Sequence, residues 1–499
     1  MRGQDLLGIG FLASCCIVTL AGAQSVIDPA LEVSVYACCP TSPTSIAFLP
    51  ASPEDLLVLE KFSGRVLHFR DGVLQGTALD LAVSNYGERG LLGIALHPQF
   101  TQNSFVYLYY TSSPTAEDTP FLDSVLDNRV VRFTWNGSQL VTPLLVLRLP
   151  ARPSFIHAGG VIHFGPDGML YGVIGDVGRF GAGRMQNNAS GNPPDTTSIV
   201  FRVRDDGTPP TSNPFYAQGG AMQYVYGYGQ RNSFGFDFDP QTGVLWQSEN
   251  GPSDYDELNR ILPGWNGGWS DLWGPDARHA NDTSGLWVAP GSFYADPKFA
   301  WKEVVAPTSV LFYRSDSLGA HYRNQLFVGA HNQSGKIYRF QLTPDRSTLV
   351  LPDPSVTDGV ADTYAEADVF QWGNAFGAVV DLEIGPDGAL YVANFYGDVI
   401  YRIGRANTSD VAPIDARHPI VAAPNPFRTT TSFRVASPLR TLVIYDVTGR
   451  LVRILHCEHG TGWDGKDERG RPVAAGLYMA RLRLADGRAG AGVKVVRLE

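Results

Sequence analysis

Ile156-His157-Ala158-Gly159-Gly160, then Phe164-Gly165-Pro166-Asp167-Gly168-Met169-Leu170-Tyr171, then Gly175-Asp176, is the stretch that decides the fold. A histidine stands beside a flexible Gly-Gly pair. The chain then runs into a strand, reverses at a tight Pro-Asp-Gly turn, and ends a second strand on a carboxylate nineteen positions after the histidine. The unit recurs as Ile384-Gly385-Pro386-Asp387-Gly388-Ala389-Leu390-Tyr391-Val392. Repeated hairpins of this kind are how a β-propeller is written in sequence.

Outward from this unit, from about Ser34 to Arg405, short apolar strands alternate with Gly, Pro, Asp and Asn turns, and hardly any stretch has a helical period. Strand pairs are expected at Asp55–Phe69, Gly93–Tyr110, Phe236–Gln247, Asn324–Phe340 and Val380–Ile403. Six units of roughly 62 residues each would hold four strands and their loops, which predicts an all-β, six-bladed propeller, with five or seven blades as the alternatives. Tandem β-sandwiches explain the alternation but not the recurring turn.

At 499 residues the chain exceeds what one core serves, so an appended domain is expected. Prolines 413, 419, 424 and 426 mark the break, giving a propeller over 31–405, a linker over 406–422 and a small β-sandwich over 423–499. With 44% hydrophobic residues, 54 glycines, 34 prolines and 18% charged residues, the balance is that of a turn-rich exported protein. Arg2, the apolar run Leu6–Leu20 and Ala21-Gly22-Ala23 read as a secretory signal over 1–23; Leu12-Ala13-Ser14-Cys15 leaves a lipoprotein signal open. Beyond it no apolar run approaches a transmembrane segment. The net charge of -10 argues against a nucleic-acid partner. Cys38, Cys39 and Cys457 have no metal-site spacing; Cys38 and Cys39 read as small buried side chains or a vicinal disulfide.

Asn425-Pro426-Phe427, Tyr445-Asp446-Val447-Thr448-Gly449-Arg450, Trp463-Asp464-Gly465 and Ala475-Gly476-Leu477-Tyr478 resemble the FlgD-type immunoglobulin-like domain of secreted bacterial proteins. That resemblance implies partnership with secretion or cell-surface machinery. It also implies a bacterial extracellular or outer-surface location, the periplasm being an alternative.

Five blocks resemble the soluble glucose/sorbosone dehydrogenase family, in that family's order: Gly87–Pro98, the His157 block, Arg202–Phe215, Gly229-Gln230-Arg231-Asn232, and Ser248–Asn259. The resemblance implies a pyrroloquinoline quinone (PQQ) cofactor, Ca2+, a sugar substrate oxidised at its C1 hydroxyl to a lactone, and an external electron acceptor. Such oxidation needs a base for the hydroxyl proton, and histidine suits that at neutral pH. By resemblance His157 is the base and Asp176 the carboxylate that orients it, while Arg231 and Asn232 contact the quinone. Glu88 stands at the mouth where relatives often have glutamine and is counted with the cofactor-binding residues, where it would hold water, metal or a neighbouring arginine such as Arg89. Gly251 and Pro252 correspond to carbonyls that bind calcium, and Asp256 and Glu257 to a structural calcium site. From the residues alone, 253–257 also reads as a plain polar loop.

The chain departs from the family at its basic positions. Lys336, the lysine of the fifth blade's block and by resemblance a cofactor-binding residue, is displaced toward the strand, and Ala375–Asp381 of the sixth has no arginine. A cofactor with three carboxylates would lose charge-assisted partners there. Two other readings follow: a non-catalytic calcium-binding propeller that takes carbohydrate or protein, and a calcium-dependent lactonase with side-chain carboxylates converging on an ion. Trp265, Trp269, Trp273 and Trp287 are candidates for stacking on sugar or for packing.

Overall fold

The computed structural model describes residues 24–120, 126–279, 282–332, 334–405, 420–423, 425–435, 441–447, 450–456, 462–483 and 489–498. The expected leader over 1–23 and most of the expected linker lie outside them.

Between residues 25 and 405 the strands form six sheets, each a blade. Their innermost strands are Pro43–Leu49, Leu91–Leu96, Ile162–Phe164, Gly235–Phe238, Pro307–Phe312 and Val379–Ile384, in blades 1 to 6. Each blade then steps outward through antiparallel neighbours, as Leu170–Ile174, Ile199–Val203 and Val225–Tyr228 do in blade 3. The six-bladed reading is therefore the observed one. The ring closes through a strand from the N-terminal side: Leu31–Cys38 pairs with Val399–Arg405 as the outermost strand of blade 6. Ser25–Val26 pairs with Gly373–Asn374 of blade 5, so the propeller starts a few residues before the expected position 31.

Between neighbouring blades the sheets bury apolar side chains against each other. Tyr171, Val173 and Val200 of blade 3 meet Phe236, Phe238 and Leu245 of blade 4. Each large side chain buried in this way contributes about 1.5–3 kcal/mol. The Pro-Asp-Gly turns at 166–168 and 386–388 lie on one face of the ring. There each aspartate accepts from the tyrosine four residues on, Tyr171 to Asp167 and Tyr391 to Asp387. Along the axis an open cavity of about 1150 Å3 reaches that face and is lined by His163, Asp237, Arg314 and Glu383 among others.

The C-terminal region forms two sheets. Ile420–Ala423, Thr431–Val435 and Gly462–Trp463 make one; Leu451–His456, Thr441–Asp446, Gly476–Arg483 and Ala489–Arg497 make the other. Phe427, Phe433, Leu442, Trp463 and Tyr478 fill the space between them. The strand Ile420–Ala423 starts inside the expected linker, because Pro419 and Pro424 bracket four residues that suit a short strand. Cys38 and Cys39 are half-buried, since Cys38 ends an outermost strand; Cys457 lies outside the described residues.

Candidate active site

On the face opposite the Pro-Asp-Gly turns, the links into the innermost strands of blades 2, 3 and 4 carry Glu88, His157 and Arg231. The hairpins of blades 3 and 4 carry Asp176 and Gly251 to the same face. His157 has φ 60°, a left-handed conformation that non-glycine residues adopt only at a cost of about 1–3 kcal/mol. Its surroundings hold it there: the His157 amide donates to Glu88 Oε2 at 2.5 Å, and its carbonyl accepts from the Gly175 amide at 3.1 Å.

The His157 ring is buried, with Nδ1 2.6 Å from Asp176 Oδ1. A carboxylate only accepts, so Nδ1 carries a proton, and in the neutral ring Nε2 is then the nitrogen with the lone pair. Asp176 is fully buried and fixed from three more directions. Its amide donates to the Arg231 carbonyl at 3.0 Å, Oδ1 also accepts from the Gly178 amide at 2.7 Å, and Oδ2 accepts from Trp269 Nε1 at 2.9 Å. Gly175 makes this junction possible. A Cβ there would lie 2.2 Å from the Arg231 carbonyl oxygen and 2.8 Å from His157 Cβ.

Arg231 donates from Nη1 to the carbonyls of Asn250 and Gly251, both at 2.9 Å, and from its amide to Glu249 Oε1 at 2.5 Å. Its guanidinium carbon lies 5.5 Å from the Trp269 ring centre. Burial lowers the guanidinium pKa, opposed by Asp176, Glu249 and Glu88. Arg231 Nε, Asn232 Oδ1 and Glu249 Oε2 are buried without a hydrogen-bond partner. Asn232 Nδ2 lies 3.4 Å from Glu88 Oε1, so Glu88 bridges the base and the asparagine. Burial pushes the Glu88 carboxyl up, with His157 and Arg231 pulling the other way. The expected alternative partner, Arg89, instead donates to the Ala151 and Ser154 carbonyls, because its own buried side chain is turned toward that loop.

His157, Asp176, Glu88, Arg231, Asn232 and Gly251 are thus joined in one set of contacts. Pro252 follows Gly251 in the same turn but is exposed. Asp256 braces this turn from below, accepting from the amides of Gly251, Val305 and Ala306, and burial raises its pKa to about 6. Glu257 accepts from Asn259 and the Gly274 amide; burial raises its pKa to about 7. Lys336 is not in the group: its ammonium pairs with Asp368 at the edge of blade 5. Among the described residues no three His, Cys, Asp or Glu side chains surround one point.

Trp269, a candidate for stacking on sugar or for packing, is buried, and its indole N–H donates to Asp176, a contact the sequence does not announce. A tryptophan in a long Gly-rich connection carries no signal for that role; the partner is 93 positions away. Trp265 is likewise buried, between blades 3 and 4. On the open side, Phe180 is 60% exposed, with its ring 6.0 Å from that of His157.

The six-bladed ring thus gathers a carboxylate-bound imidazole and a half-buried guanidinium at the same end of its innermost strands. Residues 41–399 match the Glucose / Sorbosone dehydrogenase family, and the chain belongs to it. It is 27% identical to the aldose sugar dehydrogenase YliI of Escherichia coli, over 75% of this chain and 93% of that one. It is 34% identical to quinoprotein glucose dehydrogenase B of Acinetobacter calcoaceticus over 38% of this chain and 41% of that one. Among solved structures, the glucose dehydrogenase-type oxidoreductase of Thermus thermophilus superposes with a TM-score of 0.58 at 31% identity, covering 75% of this chain and 99% of that one. The PQQ-bound aldose sugar dehydrogenase of Streptomyces coelicolor gives 0.54 at 26%, covering 75% and 98%.

Proposed function

We propose that this protein is an exported aldose dehydrogenase that uses PQQ and calcium, oxidising the C1 hydroxyl of a sugar to a lactone and passing the electrons to an external acceptor. The observation that carries the reading is the His157–Asp176 pair, buried beside Arg231 at the axial mouth. Nε2 of His157 takes the C1 hydroxyl proton, and Asp176 stabilises the resulting imidazolium without moving. Trp269 and the Gly178 amide keep Asp176 in place and exclude water from its far side. Arg231 presents a fixed positive charge that needs no reorganisation during the reaction.

The residues fit one edge of a quinone. Arg231 Nε is a buried donor without a partner and would hold a quinone oxygen, whereas Asn232 Oδ1, a buried acceptor without a partner, would take an N–H of the cofactor. PQQ, when bound, supplies an electrophilic carbon for the departing hydride. The carbonyls of Gly251 and Pro252 would take calcium, whose preference is for many oxygen ligands, once Arg231 Nη1, which donates to the Gly251 carbonyl, turns to the cofactor. The buried acids Glu249, Asp256 and Glu257 beside this turn favour a cation there. The expected leader and the C-terminal two-sheet region, read as a FlgD-type module, support export to the cell surface or beyond.

One observation favours a second reading, a propeller that binds carbohydrate without turnover. Lys336 is spent on Asp368 and Glu88 adds a negative charge at the mouth, so a cofactor with three carboxylates meets few cations. The lactonase reading needs converging carboxylates, and the described residues do not supply them. Reconstitution with PQQ and Ca2+ followed by dye-linked oxidation of an aldose panel decides between the first two. Turnover is expected; absence of PQQ uptake at micromolar concentration would leave the binding reading.

A further inference from the structure

Around the mouth, on the side of blades 5, 6 and 1, the rim is aromatic. Phe62 comes from the hairpin of blade 1, His331 from that of blade 5, and Phe395 and Tyr396 from that of blade 6. These four rings, drawn from three blades, form one cluster. Phe62 and Phe395 are 6.0 Å apart, Phe395 and Tyr396 5.0 Å, and His331 lies 5.5 Å from Phe395 and 5.4 Å from Tyr396. Phe395 is buried and props the others, whereas Tyr396 is 76% and Phe62 41% exposed. Single exposed aromatics are ordinary on a protein surface; a propped cluster assembled from three separate hairpins is not. The edge-to-tilted contacts fix the rings before anything binds, so little rotamer freedom remains to be lost.

The cluster is continuous with the candidate active site. Lys61 Nζ lies 4.0 Å from the centre of the Phe62 ring and donates to the Gly87 carbonyl at 2.7 Å; the next residue, Glu88, accepts the His157 amide. Burial holds the His331 imidazole pKa below its ordinary value, so that ring is neutral at neutral pH, and the cation beside the platform is Lys61, against the Phe62 ring. The flat, preorganised faces of Tyr396 and of the exposed side of Phe62 suit the C–H faces of pyranose rings, and the Lys61 ammonium, already spent on the Gly87 carbonyl and the Phe62 ring, is no free anion partner.

We infer that Phe62 and Tyr396, propped by Phe395 and His331, form a sugar-binding platform that receives the second and third residues of an oligosaccharide whose reducing end lies at His157. This inference rests on the sugar-oxidising reading of the mouth and names its substrate class: chain ends, rather than free monosaccharides.

The test is calorimetric titration of the full-length protein, without cofactor, with glucose and with the maltose and cellobiose series up to the tetrasaccharides. Affinity rises about tenfold or more from glucose to the trisaccharide of one series, and Phe62→Ala combined with Tyr396→Ala removes that rise. Tyr396→Trp keeps it, and Tyr364→Ala, at an exposed aromatic in another connection, leaves it untouched. Equal affinity at every chain length, or a rise that survives the double exchange, overturns the platform. So does a loss of PQQ uptake in Tyr396→Ala with sugar binding intact, which would give the ring to the cofactor. Dye-linked turnover run in parallel separates the two readings. Chain-length-dependent binding without turnover sinks the dehydrogenase and keeps the platform, whereas turnover indifferent to chain length sinks the platform alone.

Discussion

Blade 3 reaches its turn through Ile162-His163-Phe164-Gly165-Pro166-Asp167-Gly168, and blade 6 through Leu382-Glu383-Ile384-Gly385-Pro386-Asp387-Gly388. In both, the turn aspartate accepts from a tyrosine and from an arginine on the next strand, Arg202 or Arg402. The strand pairings agree residue for residue, Ile162 opposite Gly172 and Leu382 opposite Val392. At the other end the two part company. Eight residues past the turn's last glycine stands Asp176 in blade 3 and Tyr396 in blade 6; eight before its first stands His157 in one and Gly377 in the other. One end of the hairpin builds the ring. The opposite end is free to carry proton chemistry in one blade and an aromatic surface in another.

The largest expected break in this comparison is Asp176→Asn. The amide would donate to Nδ1 and force the proton onto Nε2, so kcat for an aldose should fall about 10³–10⁴-fold. Stability should drop by no more than about 2 kcal/mol, because the amide oxygen still accepts one of the buried donors. A kcat within tenfold of the parent, measured by dye-linked oxidation, would remove His157 from its role.

The turn ends should differ more modestly. Arg202 grips Asp167 through both Nε and Nη2 and is itself held by Asn213, with only 11% of its side chain exposed. Arg402 reaches Asp387 through Nε and is 31% exposed. Asp167→Ala should therefore cost about 2 kcal/mol and Asp387→Ala about 1 kcal/mol in urea unfolding. Equal costs would mean that the second arginine contact adds nothing.

Blade 3 has a brace with no counterpart in blade 6, the Trp269 indole on Asp176. Trp269→Phe keeps most of the ring and deletes the donor, so kcat should fall about tenfold, consistent with one buried charge-assisted hydrogen bond. KM for the sugar should hold. If KM rises and kcat does not fall, Trp269 shapes the sugar pocket and leaves the pair alone.

Much of this arrangement is legible because the turn chemistry is local. Pro-Asp-Gly fixes the hairpin, and the spacing from it places both His157 and Asp176 at one end. The ring closure by Leu31–Cys38 and the Trp269 brace are not legible, since both depend on contacts between distant segments that no periodicity announces. Lys336 shows the opposite error. Its charge was visible in the chain, but Asp368, 32 positions away, decides where the ammonium goes.

The smallest effect lies along the axis, where the two hairpins again carry different groups at one position, His163 and Glu383, both lining the channel. Burial lowers the His163 pKa and raises that of Glu383 to about 8, the latter helped by Asp381 and Asp237 and opposed by Arg314. Folded Glu383 keeps its proton up to about pH 8, whereas an unfolded chain releases it near 4.5. Between those values the folded state binds more protons, so stability falls as pH rises through the window. His163 acts at the other end: the unfolded chain takes up a proton below about 6.5 that the folded ring resists, so stability falls as pH drops. Glu383→Gln should therefore leave the melting temperature unchanged at pH 4.5 and raise it by about 2 °C at pH 8, small because the channel is open to water. Melting curves of parent and variant that stay parallel from pH 4.5 to 8 would show that channel water solvates the carboxylate fully, and the two blades would then differ in chemistry at their mouths alone.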